Sequence, residues 1–210
     1  MGKSVDNISL IRQYLKFSDD KDLIYYIQIL ARRKDNPGMK GDNRTLKFYT
    51  VDSLEAYDKV AESVKRHCEF ERARGYIHVT PRSKRNIAVR TLQDIANSIA
   101  MEQYDPVKNS YSSCLGRYPA PGAPRKWLVD IDRCTDEYLT GILQILFDVD
   151  PVDTPKLLFK VPTKNGIHLI TSPFNRQLFI QKCREANLNI PDIHDNNPTV
   201  LYIPEAIMGE

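Results

Sequence analysis

Apolar positions recur along this chain at two spacings. Leu10, Ile11, Tyr14 and Leu15, then Leu23, Tyr26, Ile27 and Leu30, fall at helical intervals and predict helix over residues 5–33, interrupted by a polar Ser-Asp-Asp-Lys break. One proline, two glycines and two asparagines make residues 34–44 a loop. Residues 46–51 read as a strand. Asp52 or Ser53 then caps a helix over 54–70 that carries Leu54, Tyr57, Val60 and Val64 on one face. A second strand at 76–80 is closed by Pro81, and a helix over 86–102 follows through Ile87, Val89, Leu92, Ile95 and Ile99. Residues 105–126 lose all periodicity. Pro106, Pro119, Pro121, Pro124, Gly116 and Gly122 make them a long connection, and such connections inside compact chains are often functional.

From residue 127 the alternation becomes regular. Trp127–Asp132 is a strand, and 136–149 a helix with Tyr138, Leu139, Ile142, Leu143 and Leu146 as its apolar stripe. Strands at 156–161 and 167–171 flank a Pro-Thr-Lys-Asn-Gly turn, a helix covers 175–187, and Thr199–Ile203 is the last strand. The order is βαββαβ, the split-βαβ or RRM-like unit. The fold class expected is therefore α/β (α+β). An RRM-like unit over 126–210 packs with a helical and mixed α/β N-terminal subdomain over 1–125, whose end, 105–125, is the Pro/Gly-rich connection. No internal repeat or low-complexity tract is visible.

Composition adds boundaries rather than detail. With 210 residues the chain holds one large domain or two small ones that share a core. No apolar run approaches the roughly 20 residues needed to cross a bilayer. The opening MGKSVDNISLIRQYLK has no apolar leader segment, and its sixth residue, Asp6, departs from the myristoylation pattern. A cytoplasmic address with no membrane partner is the expectation. Cys68, Cys114, Cys134 and Cys183 are too scattered for the short ligand spacings of zinc sites, so free, mostly buried thiols are expected. Net charge is only +3, but its distribution is uneven. Arg32, Arg33, Lys34, Lys40, Arg44 and Lys47 fall in one stretch, and Arg82, Lys84, Arg85 and Arg90 in another; each is either a phosphate-contacting segment or a solvated basic loop.

The chemistry lies in the C-terminal region. Asp130 and Asp132 sit two apart on a strand, so both carboxylates leave the same face of an otherwise apolar segment. Such a pair repels itself and loses hydration, and a divalent cation relieves both penalties. Mg²⁺ suits the pattern, because it takes one or two carboxylates together with substrate phosphates. The alternative is that Asp132 merely caps the helix beginning near Asp136. In a βαββαβ sheet the first and third strands are antiparallel neighbours, which brings His168 of Gly166-Ile167-His168 beside the two aspartates. An imidazole there can donate to a phosphate oxygen, Gly166 allows close backbone approach, and Lys164 offers a point charge.

WLVDID, followed about thirty residues later by TKNGIH before an apolar strand, resembles the first two motifs of the archaeo-eukaryotic primase (primase-polymerase) superfamily, over roughly residues 126–205. The resemblance implies a metal-dependent nucleotidyltransferase, a primase or polymerase acting in nucleic-acid synthesis such as DNA replication. Asp130 and Asp132 would bind Mg²⁺ or Mn²⁺, and His168 would contact the incoming nucleoside triphosphate. Thr163, Lys164 and Gly166 would belong to the phosphate-binding turn. The family's third motif is an acidic residue near a later strand; Asp195 is the first candidate, completing the metal site, and Asp192 the second. The implied partners are nucleoside triphosphates, a single-stranded DNA or RNA template, and a helicase or other replication protein. Arg32, Arg33, Lys34, Arg82, Lys84 and Arg85 are the candidate contacts to the template backbone.

Two other classes compete. His78-Val79-Thr80 fits the His-x-Thr motif of two-histidine phosphodiesterases, which cleave cyclic phosphates without metal. Its partner would be His168 with Thr171, one residue out of step, which puts Thr171 on the opposite face of its strand. The second alternative is a nucleic-acid-binding or scaffold protein on a decayed primase core. Such sheets read bases through aromatic side chains on their central strands, and here Trp127 is the only aromatic on the first strand and the third has none.

Overall fold

The computed structural model describes residues 4–133, 135–152 and 154–208. Met1, Gly2 and Lys3, on which part of the leader and lipidation reading falls, and Cys134 lie outside the described residues. The chain opens with β1 (Val5–Asp6), α1 (Ile8–Arg12), β2 (Leu23–Arg32), β3 (Asn43–Val51), α2 (Leu54–Phe70), β4 (Arg74–Ser83) and α3 (Lys84–Ala100). A 3-10 turn (Asp105–Asn109) and α4 (Ser110–Arg117) lead to β5 (Trp127–Asp132), α5 (Asp136–Asp148), β6 (Leu157–Pro162), β7 (Gly166–Thr171) and α6 (Arg176–Glu185). β8 (Asp192–His194), β9 (Thr199–Ile203) and α7 (Glu205–Met208) complete it. Contacts divide the chain into two compact units, Met1–Ala123 with Val200–Glu210, and Pro124–Thr199.

The first unit is built on a five-stranded sheet in the order β1-β9-β4-β2-β3. Its helices follow local rules. Ser53 starts α2 by accepting from the Ala56 N–H, and Tyr57, Ala61, Val64 and Cys68 are buried along one face. Residues 23–32, expected as helix, are instead strand β2, and only Ile8–Arg12 of the 5–33 segment is α-helical. The reason is position. β2 lies between β4 and β3 and is apolar on both faces, so Leu23, Tyr26, Ile27 and Leu30 match helical spacing only because nearly every residue of the run is apolar. Pro81 does not end β4 either. The β2–β4 register slips between Ile24 and Tyr26, and Pro81 sits opposite that irregularity, where a missing N–H does least harm. The 105–126 stretch holds more structure than its composition suggests. α4 buries Cys114 and Leu115 against Ile24, Tyr26 and Ile87.

The second unit carries the predicted βαββαβ order on a four-stranded sheet, β6-β7-β5-β8, with all pairs antiparallel. Val129, Ile131, Leu169 and Ile193 turn one face of the sheet toward α5 and α6, packing on Ile142, Leu146, Phe179 and Cys183. One assignment changes. Thr199–Ile203, expected as the last strand of this unit, pairs with β1 of the five-stranded sheet, and the short β8 takes the fourth place beside β5. Residues 199–203 are buried throughout, as a strand flanked by β1 and β4 must be, whereas an edge strand such as β8 needs only Ile193 on its core side.

Cys68, Cys114 and Cys183 are free and buried, as expected. Burial pushes the Cys68 thiol up to about 12 and that of Cys183 to about 11, so both stay protonated. Among the described residues, no helix is long and apolar enough to cross a membrane.

Candidate functional site

Period-2 alternation along β5 sends Val129 and Ile131 into the core and Leu128, Asp130 and Asp132 to the opposite face. Antiparallel pairing then aligns the neighbours. Asp130 stands directly opposite His168 on β7, and Asp132 opposite Gly166. On the other side of β5, Asp130 is the register partner of Asp192. One row across the sheet therefore reads Val161, His168, Asp130, Asp192. The next row contains His194 and Leu128 with Ile170.

His168 is held at both ring nitrogens. Its Nε2 lies 3.4 Å from Asp130 Oδ1, and its Nδ1 lies 2.9 Å from the Thr199 hydroxyl. A carboxylate only accepts, so the neutral ring places its proton on Nε2 and accepts from Thr199 at Nδ1. The His168 side chain is 10% exposed and that of Asp130 35%, so the pair sits where a buried surface gives way to solvent. Asp132 and Asp192 are exposed.

The turn before β7 is tied locally. Thr163 N–H donates to Gly166 O at 3.0 Å, and Gly166 N–H donates to the Thr163 hydroxyl at 3.1 Å. Arg133 N–H donates to Asn165 O at 2.9 Å, which docks the turn containing Lys164 against the Asp132 end of β5. Gly166 is required there: a Cβ would run into the Ile131 carbonyl oxygen. Gly166→Ala is expected to force β7 away from β5, at a cost of about 1–3 kcal/mol. Thermal unfolding measures that cost, and an unchanged midpoint would show that the backbone yields freely. The capping role considered for Asp132 belongs to Thr135, whose side chain accepts from the Tyr138 N–H.

The donor chemistry of the acidic row suits a hard divalent cation: Asp130, Asp132 and Asp192 supply carboxylate oxygens from one face. Among the described residues, no three His, Cys, Asp or Glu groups already converge on a single point. Asp130 is turned to His168, so shared coordination needs the exposed carboxylates of Asp132 and Asp192 to rotate toward it. Asp195 follows β8 in a bend and has no register partner on β5. Asp192 and His194 carried a signal that is easily passed over, the alternation Asp-Ile-His around a single buried isoleucine.

The basic segments fare unequally. Arg33 and Lys34 are exposed in the turn after β2, Arg33 lying 3.5 Å from Asp42. Arg32 is bound to Asn43 and to the Tyr76 hydroxyl. Lys84 pairs with Asp52 at 3.2 Å, while Arg85 is exposed at the start of α3. Arg82, expected to hold a nucleic-acid backbone, has no exposed surface. Its guanidinium donates to Leu115 O, Thr80 O and His78 Nδ1, and burial lowers its pKa to about 10.

The same contacts weigh against a two-histidine site. His78 is buried, bound to Arg82 and stacked on Tyr26 with ring centroids 5.3 Å apart. Thr171 is fully buried opposite Trp127, on the face of β7 away from His168. Trp127 packs edge-on against Phe174 at 5.2 Å, on the core side, which leaves β5 with no aromatic side chain on the His168 face. The depression of about 250 Å³ between α3 and α4, and that of about 440 Å³ along residues 102–106, are lined by residues of the first unit, none of them in the acidic row. No protein-family model, curated protein or solved structure matches the chain.

Proposed function

We propose that the Pro124–Thr199 unit is a primase-polymerase-like catalytic core that joins a nucleoside triphosphate to a nucleic-acid 3′ end. One observation carries this reading: His168, Asp130 and Asp192 lie in one row across adjacent strands, with Asp132 at the next position on the same face. Asp130, Asp132 and Asp192 are the residues that would hold Mg²⁺ or Mn²⁺. A bound cation would supply charge neutralisation at the attacking and leaving oxygens of phosphoryl transfer. Asp192 replaces Asp195 as the third carboxylate, on its register with Asp130.

His168 offers its Nε2 proton at the rim of the row. When Asp130 turns to a cation, that N–H is free to donate to a triphosphate oxygen, while Thr199 keeps the ring from rotating. Thr163 and Gly166 fix the turn that carries Lys164 beside Asp132, where an ammonium complements phosphate charge. The primase-type label for the βαββαβ unit rests on this constellation together with the WLVDID and TKNGIH segments. For the template backbone, Arg33, Lys34, Lys84 and Arg85 are the exposed members of the candidate set, and binding through them would be salt-sensitive. A helicase or other replication protein is a further partner of such a core.

Incorporation of labelled nucleotides on primed and unprimed single-stranded templates tests the proposal. Product is expected with Mg²⁺ or Mn²⁺ and none in EDTA. A folded protein that makes no product with either metal on either template would sink it.

A further inference from the structure

Helix α3 is amphipathic in the wrong direction. Its protein-facing side carries the buried Ile87 and the half-buried Ile95, and between them is polar. The Thr91 hydroxyl donates to the Ile87 carbonyl, and Asp94 accepts from Arg117 at 3.3 Å and from the Cys114 thiol. Its solvent side carries Val89, Leu92, Ala96 and Ile99, with Val89, Leu92 and Ile99 exposed by 47%, 68% and 52%. Those positions step by three, four and three residues, the seam that packs one helix lengthwise on another. A helix that turns such a seam to water leaves its main source of stabilisation unused.

We infer that α3 pairs antiparallel with α3 of a second copy of this chain, across a two-fold axis near Asp94. That axis sets Leu92 against Ala96, large against small, and Val89 against Ile99, two β-branched side chains, at the outer level. Charge selects the same occupant. α3 begins with Lys84 and Arg85, has no acidic residue in its first turn and no basic residue in its last, and is followed by Glu102 and Asp105. Asp22 already gives the N-terminus a carboxylate by accepting from the Arg85 N–H at 2.8 Å, while the Arg85 and Glu102 side chains themselves stay exposed. In the antiparallel pair each exposed Arg85 meets the end carrying Glu102 of the other copy, so opposite charges face each other twice. A membrane surface fits less well: interfacial helices spread Lys and Arg along their polar face, whereas past its first turn α3 carries one basic residue, Arg90, with Gln93 and Asn97 exposed beside it.

The seam from Val89 to Ile99 is about 15 Å long, with the exposed Met101 and Tyr104 beyond its end, a small contact by the standard of specific interfaces. Association is therefore expected to be weak and concentration-dependent. Sedimentation velocity of the full chain at low salt, from about 1 to about 200 μM, tests it. The mass should rise from 24.2 kDa toward twice that value. Leu92→Glu, at an exposed position that leaves the monomer fold intact, should stay monomeric. Arg85→Glu and Glu102→Arg should each weaken association about fivefold or more, and the double reversal should return it to within about twofold of wild type, a coupling only direct neighbours give. A wild type that remains monomeric overturns the inference, as does a dimer indifferent to Leu92→Glu or a double reversal no better than the single changes. Monomeric protein that pellets with phosphatidylserine vesicles through Leu92 overturns it in favour of a membrane surface.

Discussion

Replacing Asp130 and Asp132 together by alanine is expected to reduce metal-dependent nucleotide incorporation by about 10³-fold or more, with the fold retained. Cation-held carboxylates contribute several kcal/mol to stabilising charge that develops in phosphoryl transfer, and each 1.4 kcal/mol is about tenfold in rate. The informative comparison is between the third-carboxylate candidates. Asp192→Ala should lower incorporation by about 10²-fold or more, because Asp192 stands beside Asp130 in the sheet. Asp195→Ala should leave it within about twofold, because Asp195 lies past the end of the β5–β8 pairing. Steady-state incorporation by variants with wild-type unfolding midpoints decides between them. Asp132 and Asp192 are exposed, so their removal leaves no buried orphan to destabilise the sheet. The opposite ranking of Asp192 and Asp195 would return the site to the sequence-based assignment.

The largest stability effect should come from the other unit. Asp35, in the turn that carries Arg33 and Lys34, receives two hydrogen bonds of 2.6 Å from the Arg74 guanidinium at the start of β4. The side chains are 4% and 5% exposed, so Asp35→Ala strands a buried cation. Breaking a buried pair from one side costs about 3–5 kcal/mol, a fall of roughly 10 °C in the unfolding midpoint for a chain of this size. Replacing both partners by apolar residues of similar volume, Asp35→Leu with Arg74→Met, should recover most of the loss, since the desolvation penalty disappears with the charges. A single variant that unfolds within about 2 °C of wild type would show that water reaches Arg74 and that the turn is not anchored there.

Much of the site could be read before any coordinates. Asp130 and Asp132 share a face because strands alternate, and His168 falls beside them because the βαββαβ order makes the first and third strands neighbours. Both are consequences of short-range pattern. Asp192 ranked below Asp195 because the Asp-Ile-His alternation of a three-residue strand is too short to stand out locally; pairing with β5 makes it a strand. Thr199 was read only as the start of a strand, yet its hydroxyl holds the His168 ring at Nδ1. Arg82 shows the converse. Its neighbours Lys84 and Arg85 made it look like part of a basic surface, and its burial depends on the α4 region around Leu115, which chain proximity does not associate with it.

The sequence by itself determined what depends on neighbours along the chain: a cap at the start of α2, which is Ser53, the stripes of α2 and α5, the alternation of β5 and β7, and the pairing of aspartates on one face. Each follows from a period of 3.6 or 2 and from unsatisfied backbone groups at helix ends. Tertiary structure decided what depends on which surfaces meet. It made residues 23–32 a strand, because a segment covered on both faces loses the alternation that marks strands in sequence. It gave Thr199–Ile203 to the five-stranded sheet, which left β8 to bring Asp192 to Asp130. It also turned the apolar seam of α3 to solvent, since periodicity reports that a face is apolar but not what the face is packed against.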